Sequence, residues 1–518
     1  MKNKADYIHI CQTNVLVADQ YADLPVGRID LFRTLVYPRL VHSDGAFRTH
    51  LEVLNKEKYN CYYQDADYVD RRKLYNIWNL PAFNGIHLAA FLQTSGIKCA
   101  IINNLDSEWD RFESLYEASD EHVFVGLSTT FYLSVNEVRK VTARILKRFP
   151  KAKIVLGGAF VHSLELNGQH VLLENLIQKC GVRYLLHAYN SELDLLDLLQ
   201  YGDSDPAKVR NLYLSDDKNK ILKTTVESHV PLIKMSLQAL GDLDLPFVNR
   251  TLQARLSSGC PFRCAFCSYP AMAVDYQSLS LDDSEAQLRS LLSIRGVRNI
   301  VFIDDTFNAR PDHFKALLRR FVKMDFKWFC FIRLNLLDEE TVDLMADAGC
   351  VAVYAGIESA DDELLKRMNK RAHTEQYRRG ISWLKNKGIA VLAAFVLGFP
   401  GETQATLRKN IEFIEDTCVD FYSLKEFYLL EATDVYRDRS RYSLEGVGNK
   451  WSHLTMNYQV AADSKLEMFQ SIHNSVAVDP DTSLWHLAYL VDQGLNLLEI
   501  KGFQKQINGK IQQQLQGV

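Results

Sequence analysis

The sequence predicts an α/β chain: a doubly wound N-terminal domain, a partial (β/α)6 barrel and a helical C-terminal region. Three observations lead there. Residues from about 80 to 200 alternate helical and strand patterns. A second such series begins near residue 251, and a loop with three closely spaced cysteines follows its first strand. Alternation of this kind marks parallel sheets covered by crossover helices. The expected limits are 1–205 for the first domain, 206–250 for a linker with a β-hairpin, 251–435 for the barrel and 436–518 for a mostly helical remainder.

In the first domain the apolar stretch 83–95 reads as a helix stopped by Gly96. Strands are expected over 98–102, 122–128, 153–156 and 183–187, with a helix over 135–148. In doubly wound sheets ligands sit beyond the carboxyl ends of the strands. Those ends carry Asn103-Asn104, Ser128-Thr129-Thr130 and Gly157-Gly158. Small and hydroxylated residues there permit close approach of a ligand, or simply make tight turns.

In the second series strands are expected over 252–256, 299–303, 327–333, 351–356, 390–397 and 419–427. A barrel of this type places its chemistry at the C-terminal ends of its strands.

Composition narrows the class. Hydrophobic residues at 47% and charged residues at 24% are those of an ordinary globular chain. A formal net charge of −4 gives no basic excess for holding a nucleic-acid backbone, so no nucleic-acid partner is expected. The longest apolar run, 389–399, falls short of the roughly 20 residues that span a bilayer. The segment MKNKADYIHICQ lacks a signal-peptide core. A cytoplasmic location without a membrane partner is expected, and the ten cysteines read as free thiols or metal ligands rather than disulfides.

The sharpest feature is CPFRCAFC at 260–267, preceded by Ser257-Ser258-Gly259. Three thiolates on a loop at a strand's C-terminal end can hold soft metal. A four-iron cube with three cysteine ligands keeps one iron open to a non-protein ligand. A structural zinc site usually closes with four ligands, and no fourth His or Cys follows nearby.

The C-x3-C-x2-C spacing, with an aromatic before the third cysteine, resembles the radical S-adenosylmethionine (radical SAM) superfamily. Ile303-Asp304-Asp305 ends the second strand, where the family holds the SAM amino group; the resemblance gives that role to Asp305. Gly356-Ile357-Glu358-Ser359 ends the fourth and resembles the ribose-contacting segment, through Glu358 and Ser359. Gly398-Phe399-Pro400-Gly401-Glu402 ends the fifth and resembles the adenine-side motif, through Gly398, Gly401 and Glu402. Arg333 ends the third strand and joins the catalytic candidates. The resemblance covers about residues 250–430. It implies a [4Fe-4S] cluster on Cys260, Cys264 and Cys267, SAM chelated by the open iron, and an electron donor such as flavodoxin or ferredoxin. One-electron cleavage of SAM would give a 5′-deoxyadenosyl radical that removes hydrogen from the substrate.

A doubly wound domain ahead of such a barrel resembles the cobalamin-binding, Rossmann-like class of the superfamily. VGLSTT and KIVLGGAF look like that class's strand ends, which makes Ser128, Thr129, Gly157 and Gly158 its candidate cobalamin face. The D-x-H-x-x-G pattern that supplies a cobalt-ligating histidine in many cobalamin folds is absent. Some class members bind cobalamin without it, so cobalamin binding stays open. His87 falls in the apolar helix and reads as a core or surface histidine.

At finer grain the chain resembles proteusin-type peptide epimerases and the related P- and C-methyltransferases, on CPFRCAFCSYP, FIDDTFN and EGVGNKWSHLTM at 445–456. The last block reads as a substrate-facing loop with His453 or Trp451 reaching the cavity, or as a turn ending in a packed Trp. The expected function is Cα hydrogen abstraction from a ribosomally made, leader-bearing peptide (a RiPP precursor), epimerising L- to D-residues. The alternative is cobalamin-dependent methylation of a peptide or other natural product. Epimerisation needs a hydrogen donor on the opposite face, commonly a thiol. Cys350 and Cys418 start strands, the wrong end of the barrel. Cys330 is out of phase with Phe331 and Arg333, and Cys99 and Cys180 read as core. Cys11 and Cys61 remain as thiol donors that could overhang the barrel mouth, or as buried inert thiols.

Overall fold

The computed structural model describes residues 4–14, 40–66, 73–120, 123–132, 134–202, 204–216, 220–236, 243, 245–272, 275–478 and 483–516. They divide into two compact units. One holds the described residues within 1–17, 78–248 and 286–295, the other those within 18–77, 249–285 and 296–518.

The first unit is built on β1 (Tyr7–Gln12), β2 (Cys99–Asn104), β3 (Phe124–Ser128), β4 (Lys153–Gly157), β5 (Tyr184–Leu186), β6 (Leu212–Ser215) and β7 (Ile221–Lys223). Their order is β2-β1-β3-β4-β5-β6-β7. The first five are parallel, and β6 and β7 run antiparallel at the edge. The hairpin expected within the 206–250 linker is therefore the edge of this sheet. The order 2-1-3-4-5 is the flavodoxin-like doubly wound one, with its ligand crevice between β1 and β3. Alternate strand residues feed two cores. Ile8, Ile10, Val125, Leu127, Ile154 and Leu156 enter one, while Tyr7, Phe124, Val155 and Tyr184 enter the other. A sheet buried on both faces needs this.

The central strand β1 is not evident in the sequence, because a histidine interrupts its apolar run. The fold keeps that histidine neutral: burial pushes His9 down to about 4. Its Nδ1 lies 3.1 Å from the Tyr7 hydroxyl. A Cβ on Gly126 would sit 1.6 Å from that same hydroxyl, so the tyrosine occupies space that only glycine leaves.

The second unit holds β8 (Thr251–Ala254), β9 (Asn299–Phe302), β10 (Lys327–Ile332), β11 (Cys350–Glu358), β12 (Ala390–Leu397), β13 (Phe421–Glu426) and β14 (Val476–Ala477). They pair in that order, all parallel. Six of the seven are the strands read from the sequence; β14 is too short to leave a pattern. The helices between them follow ordinary rules. Pro311–Phe321 opens with proline, which suits the first turn. It buries Phe314, Leu317, Leu318 and Phe321, one stripe at helical spacing.

The region beyond 435 is less purely helical than expected. Glu445–Val447, Lys450–His453 and Met456–Asn457 form a three-stranded antiparallel sheet. Helix Ser483–Asp492 sends Trp485 against the ring of Phe331, which also packs on Tyr354. Among the described residues no helix is long and apolar enough to cross a membrane.

Candidate active site at the barrel strand ends

The cysteine loop leaves β8 through Ser257–Ser258, which pairs antiparallel with Gln277–Ser278 and closes the loop at its base. Asp304, at the end of β9, holds this base. Its carboxylate accepts from the Leu256 and Ser257 amides and the Ser257 hydroxyl. Burial raises Asp304 to about 7. Its neighbour Asp305 is exposed as a residue, yet desolvation raises its carboxyl to about 6 against a hydrogen bond from Tyr269. The two adjacent carboxylates therefore differ: Asp304 is buried and anchors the loop, while Asp305 is exposed and bonded to Tyr269.

Cys260, Cys264 and Cys267 are half-buried free thiols. Burial pushes the Cys267 thiol up to about 12, with Cys264 and Cys260 adding to the effect. Among the described residues no three Cys, His, Asp or Glu side chains are already gathered as a metal-ligand set. The donors themselves suit soft metal: three thiols stand on one short loop.

Cys260 Sγ lies 3.5 Å from the Thr306 hydroxyl. Arg333 Nη1 donates to Cys264 Sγ at 3.7 Å, and its guanidinium lies 3.9 Å from the centre of the Phe262 ring. Asn308 fixes the Arg333 backbone on both sides, accepting from its amide and donating to its carbonyl, each at 2.9 Å. Segment 368–371 clasps the loop as well. Ala265 N donates to Met368 O at 2.8 Å, and Asn369 Nδ2 donates to Arg263 O at 2.6 Å.

β11 ends in Glu358 with φ 65°, a left-handed conformation forced on a non-glycine residue. Glu358 Oε1 is 2.7 Å from Lys370 Nζ, and both side chains are nearly buried. Ser359 is fully buried and its hydroxyl accepts from the Asp361 amide, so it shapes the next helix start. β12 ends at Gly398, φ 91°, whose amide donates to the buried Glu402 carboxyl. Burial raises Glu402 to about 8. Gly401, φ 102°, leaves room for Arg367: a Cβ would sit 2.2 Å from its Nη1.

His453 Nε2 donates to Gly398 O at 2.9 Å, and Nδ1 accepts from the Thr455 amide at 3.3 Å. Its ring stacks on the buried Trp451, which donates to Phe427 O. Both ring nitrogens are engaged within the fold. His453 therefore supports the Gly398 turn instead of reaching into the cavity as expected.

In the first unit the strand ends knit together. Thr129 donates from backbone and hydroxyl to Gly157 O, and Ser128 Oγ accepts from Asn84 Nδ2. Gly158 has φ 107°, and a Cβ there would sit 3.0 Å from the Thr129 amide nitrogen. Gly157 and Gly158 thus put two residues without side chains at the carboxyl end of β4, beside the end of β3. His87 is a core residue, stacked on Phe83 and 3.4 Å from Glu192.

The thiol candidates fare differently from the expectation. Cys11 lies inside β1, fully buried, with its Sγ where a Cβ on Gly85 would go. It overhangs nothing. Cys61 is half-buried against Tyr63, Ala66 and Leu74, and its thiol points to the Tyr62 carbonyl. The sequence reading missed Lys370, Thr306 and Asn308. Lys370 sits in KRMNKR, a charge run that reads as a solvated surface.

The comparisons with known proteins agree with this geometry. Residues 255–414 match the Radical SAM superfamily model. The chain is 30% identical over 168 residues to a protein of Pyrococcus horikoshii described as an uncharacterized methyltransferase, covering 32% of this chain and 37% of that one. The chain thus spans little more than a third of that relative's length. The fold is similar to that of the radical SAM methyltransferase TsrM of Kitasatospora setae, solved with cobalamin and a [4Fe-4S] cluster. The TM-score is 0.55 at 19% identity, over 70% of this chain and 72% of that one. It is similar also to the cobalamin-dependent radical SAM enzyme OxsB, with a TM-score of 0.52 at 14% identity, over 80% and 53% of the chains. Residues 255–414 are thus a radical SAM domain. The fold resembles those of these two cobalamin-containing radical SAM proteins. These relatives favour methyl transfer over the expected epimerisation and give no support to a peptide substrate.

Proposed function

We propose that this chain is a cobalamin-dependent radical SAM methyltransferase. The observation that carries the reading is the pairing, on one chain, of a flavodoxin-ordered unit with a side-chain-free Gly157-Gly158 edge and a barrel bearing the three-cysteine loop. The relatives described as methyltransferases support it. Methyl delivery from cobalamin needs no thiol hydrogen donor, which agrees with the burial of Cys11.

When bound, the cluster, SAM and cobalamin supply one-electron chemistry, a hydrogen-abstracting radical and a transferable methyl group. The chain's own residues do the rest. Cys260, Cys264 and Cys267 hold the cluster, and Asp304 fixes the start of their loop. Asp305 meets the SAM amino group with its carboxylate. Glu358 and Lys370 present a charge pair, and Gly398 with Glu402 shapes the adenine side. Ser128, Thr129, Gly157 and Gly158 line the cobalamin edge. An external one-electron donor reduces the enzyme.

The test is anaerobic reconstitution with iron, sulfide and hydroxocobalamin, followed by gel filtration and absorption spectroscopy. The corrinoid is expected to co-elute with the protein, and label from methyl-labelled SAM to enter product. A fully loaded cluster with no retained corrinoid, together with solvent deuterium appearing at a substrate Cα, would restore epimerisation.

A further inference from the structure

We propose that Arg333 is a positioning residue of the cysteine loop and eases reduction of the cluster that loop holds. The inference rests on the radical SAM reading of the loop and adds to it.

Arg333 is 5% exposed, and its guanidinium has no carboxylate partner among the described residues. A buried permanent cation without a counter-charge is costly. What surrounds it instead is the loop. Nη1 donates to Cys264 Sγ, the flat face rests on Phe262, and Nη2 donates to the Lys370 carbonyl. Nε has no partner among the described residues. The nearby carboxylate of Glu358 is taken up by Lys370. Thiolates bound to iron are the anionic group this geometry provides for.

The side chain is also held still. Asn308 brackets its backbone, and Asn369 and Arg371, both left-handed at φ 52° and 53°, fix the segment whose Lys370 carbonyl it meets. Such strain persists only where the surroundings enforce it. A fixed cation and a hydrogen bond at a cluster sulfur favour the more negative, reduced cluster, and so raise its potential. A lysine keeps the charge but loses the planar fork and the stacking.

The test compares full-length wild type, Arg333→Met, Arg333→Lys and Phe262→Leu after anaerobic reconstitution. Iron and sulfide content gives loading, and an EPR-monitored redox titration gives the midpoint. Arg333→Met is expected to shift the midpoint to more negative values at wild-type iron content, with Arg333→Lys and Phe262→Leu shifting it less. An unchanged midpoint in loaded Arg333→Met overturns the proposal. If that variant fails to load, Arg333→Lys decides: a lowered midpoint supports the role and an unchanged one removes it. Wild type that never takes up iron defeats the radical SAM reading itself, a result distinct from either.

Discussion

Lys370 Nζ and Glu358 Oε1 meet at 2.7 Å in the space that a side chain on Gly356 would fill, for a Cβ there would lie 3.0 Å from one and 2.4 Å from the other. Removing one partner of a buried pair strands the other charge. Lys370→Met is therefore expected to cost about 3–5 kcal/mol, read as a lower urea midpoint. Gly356→Ala should lower it less, since the two side-chain ends can yield. Isothermal titration with SAM should show weaker binding in both variants. Unchanged SAM affinity in Lys370→Met would confine the pair to a structural role.

Glu402 gives a pH signature. Its folded value of about 8 lies above its ordinary value of 4.5, so the folded chain keeps a proton that the unfolded chain has lost. On this group's account stability is fullest below about 4.5 and falls as pH rises toward 8, by on the order of a few kcal/mol. Glu402→Gln removes the titration while keeping a carbonyl for the Gly398 amide. The thermal midpoint of the variant relative to wild type should rise between pH 5.5 and pH 8. A constant difference across that range would contradict the assignment.

Gly398 is required twice. Its φ of 91° costs a side-chain-bearing residue about 1–2 kcal/mol. A Cβ would also sit 2.2 Å from the Trp451 ring, which its bond to Phe427 O and its stack on His453 hold in place. Gly398→Ala should lose about 2–4 kcal/mol and shift tryptophan emission, both readable in one thermal melt followed by fluorescence.

How much of this the sequence carried depends on range. The three-cysteine loop and the six longer barrel strands are local patterns, and they read directly. Asp305, Glu358 and Glu402 were found through the family resemblance, each in a motif at or just past a strand's C-terminal end. The Lys370–Glu358 pair was not, since it joins a strand end to a basic run 12 residues on, and basic runs usually lie in solvent. β1 escaped because burial, not composition, keeps His9 neutral within it. Cys11 was placed at the barrel mouth because the strand that buries it was not recognised. The 445–457 sheet hid behind glycines that suggest a loop, although Trp451 is its buried anchor.

The thiol question has a direct answer under methyl transfer. Cys61→Ala should leave product formation per bound cluster unchanged, because no hydrogen has to return from a thiol. Cys11→Ala should do the same while costing roughly 1–2 kcal/mol for the small cavity left against Gly85. Quantitative mass spectrometry of product from both variants checks this. Loss of turnover in Cys61→Ala at full iron content would revive a thiol donor and with it epimerisation.

The last prediction concerns the first unit alone. Gly158 begins the turn from β4 into helix Ala159–Leu166 at φ 107°, and a Cβ would crowd the amide nitrogens of Thr129 and Thr130 at 3.0 and 3.2 Å. Those amides belong to the backbone, which cannot swing aside as a side-chain tip would. Gly158→Ala should therefore distort the β3 and β4 ends together, and any flat ligand resting on that edge should lose contact. Hydroxocobalamin retention is expected to fall at least tenfold, while iron and sulfide content, which depends on the barrel unit, stays at the wild-type level. Equal loss of both would mean global unfolding, which circular dichroism would show. Retention of full corrinoid binding would mean that the Gly157-Gly158 edge is a tight turn and nothing more.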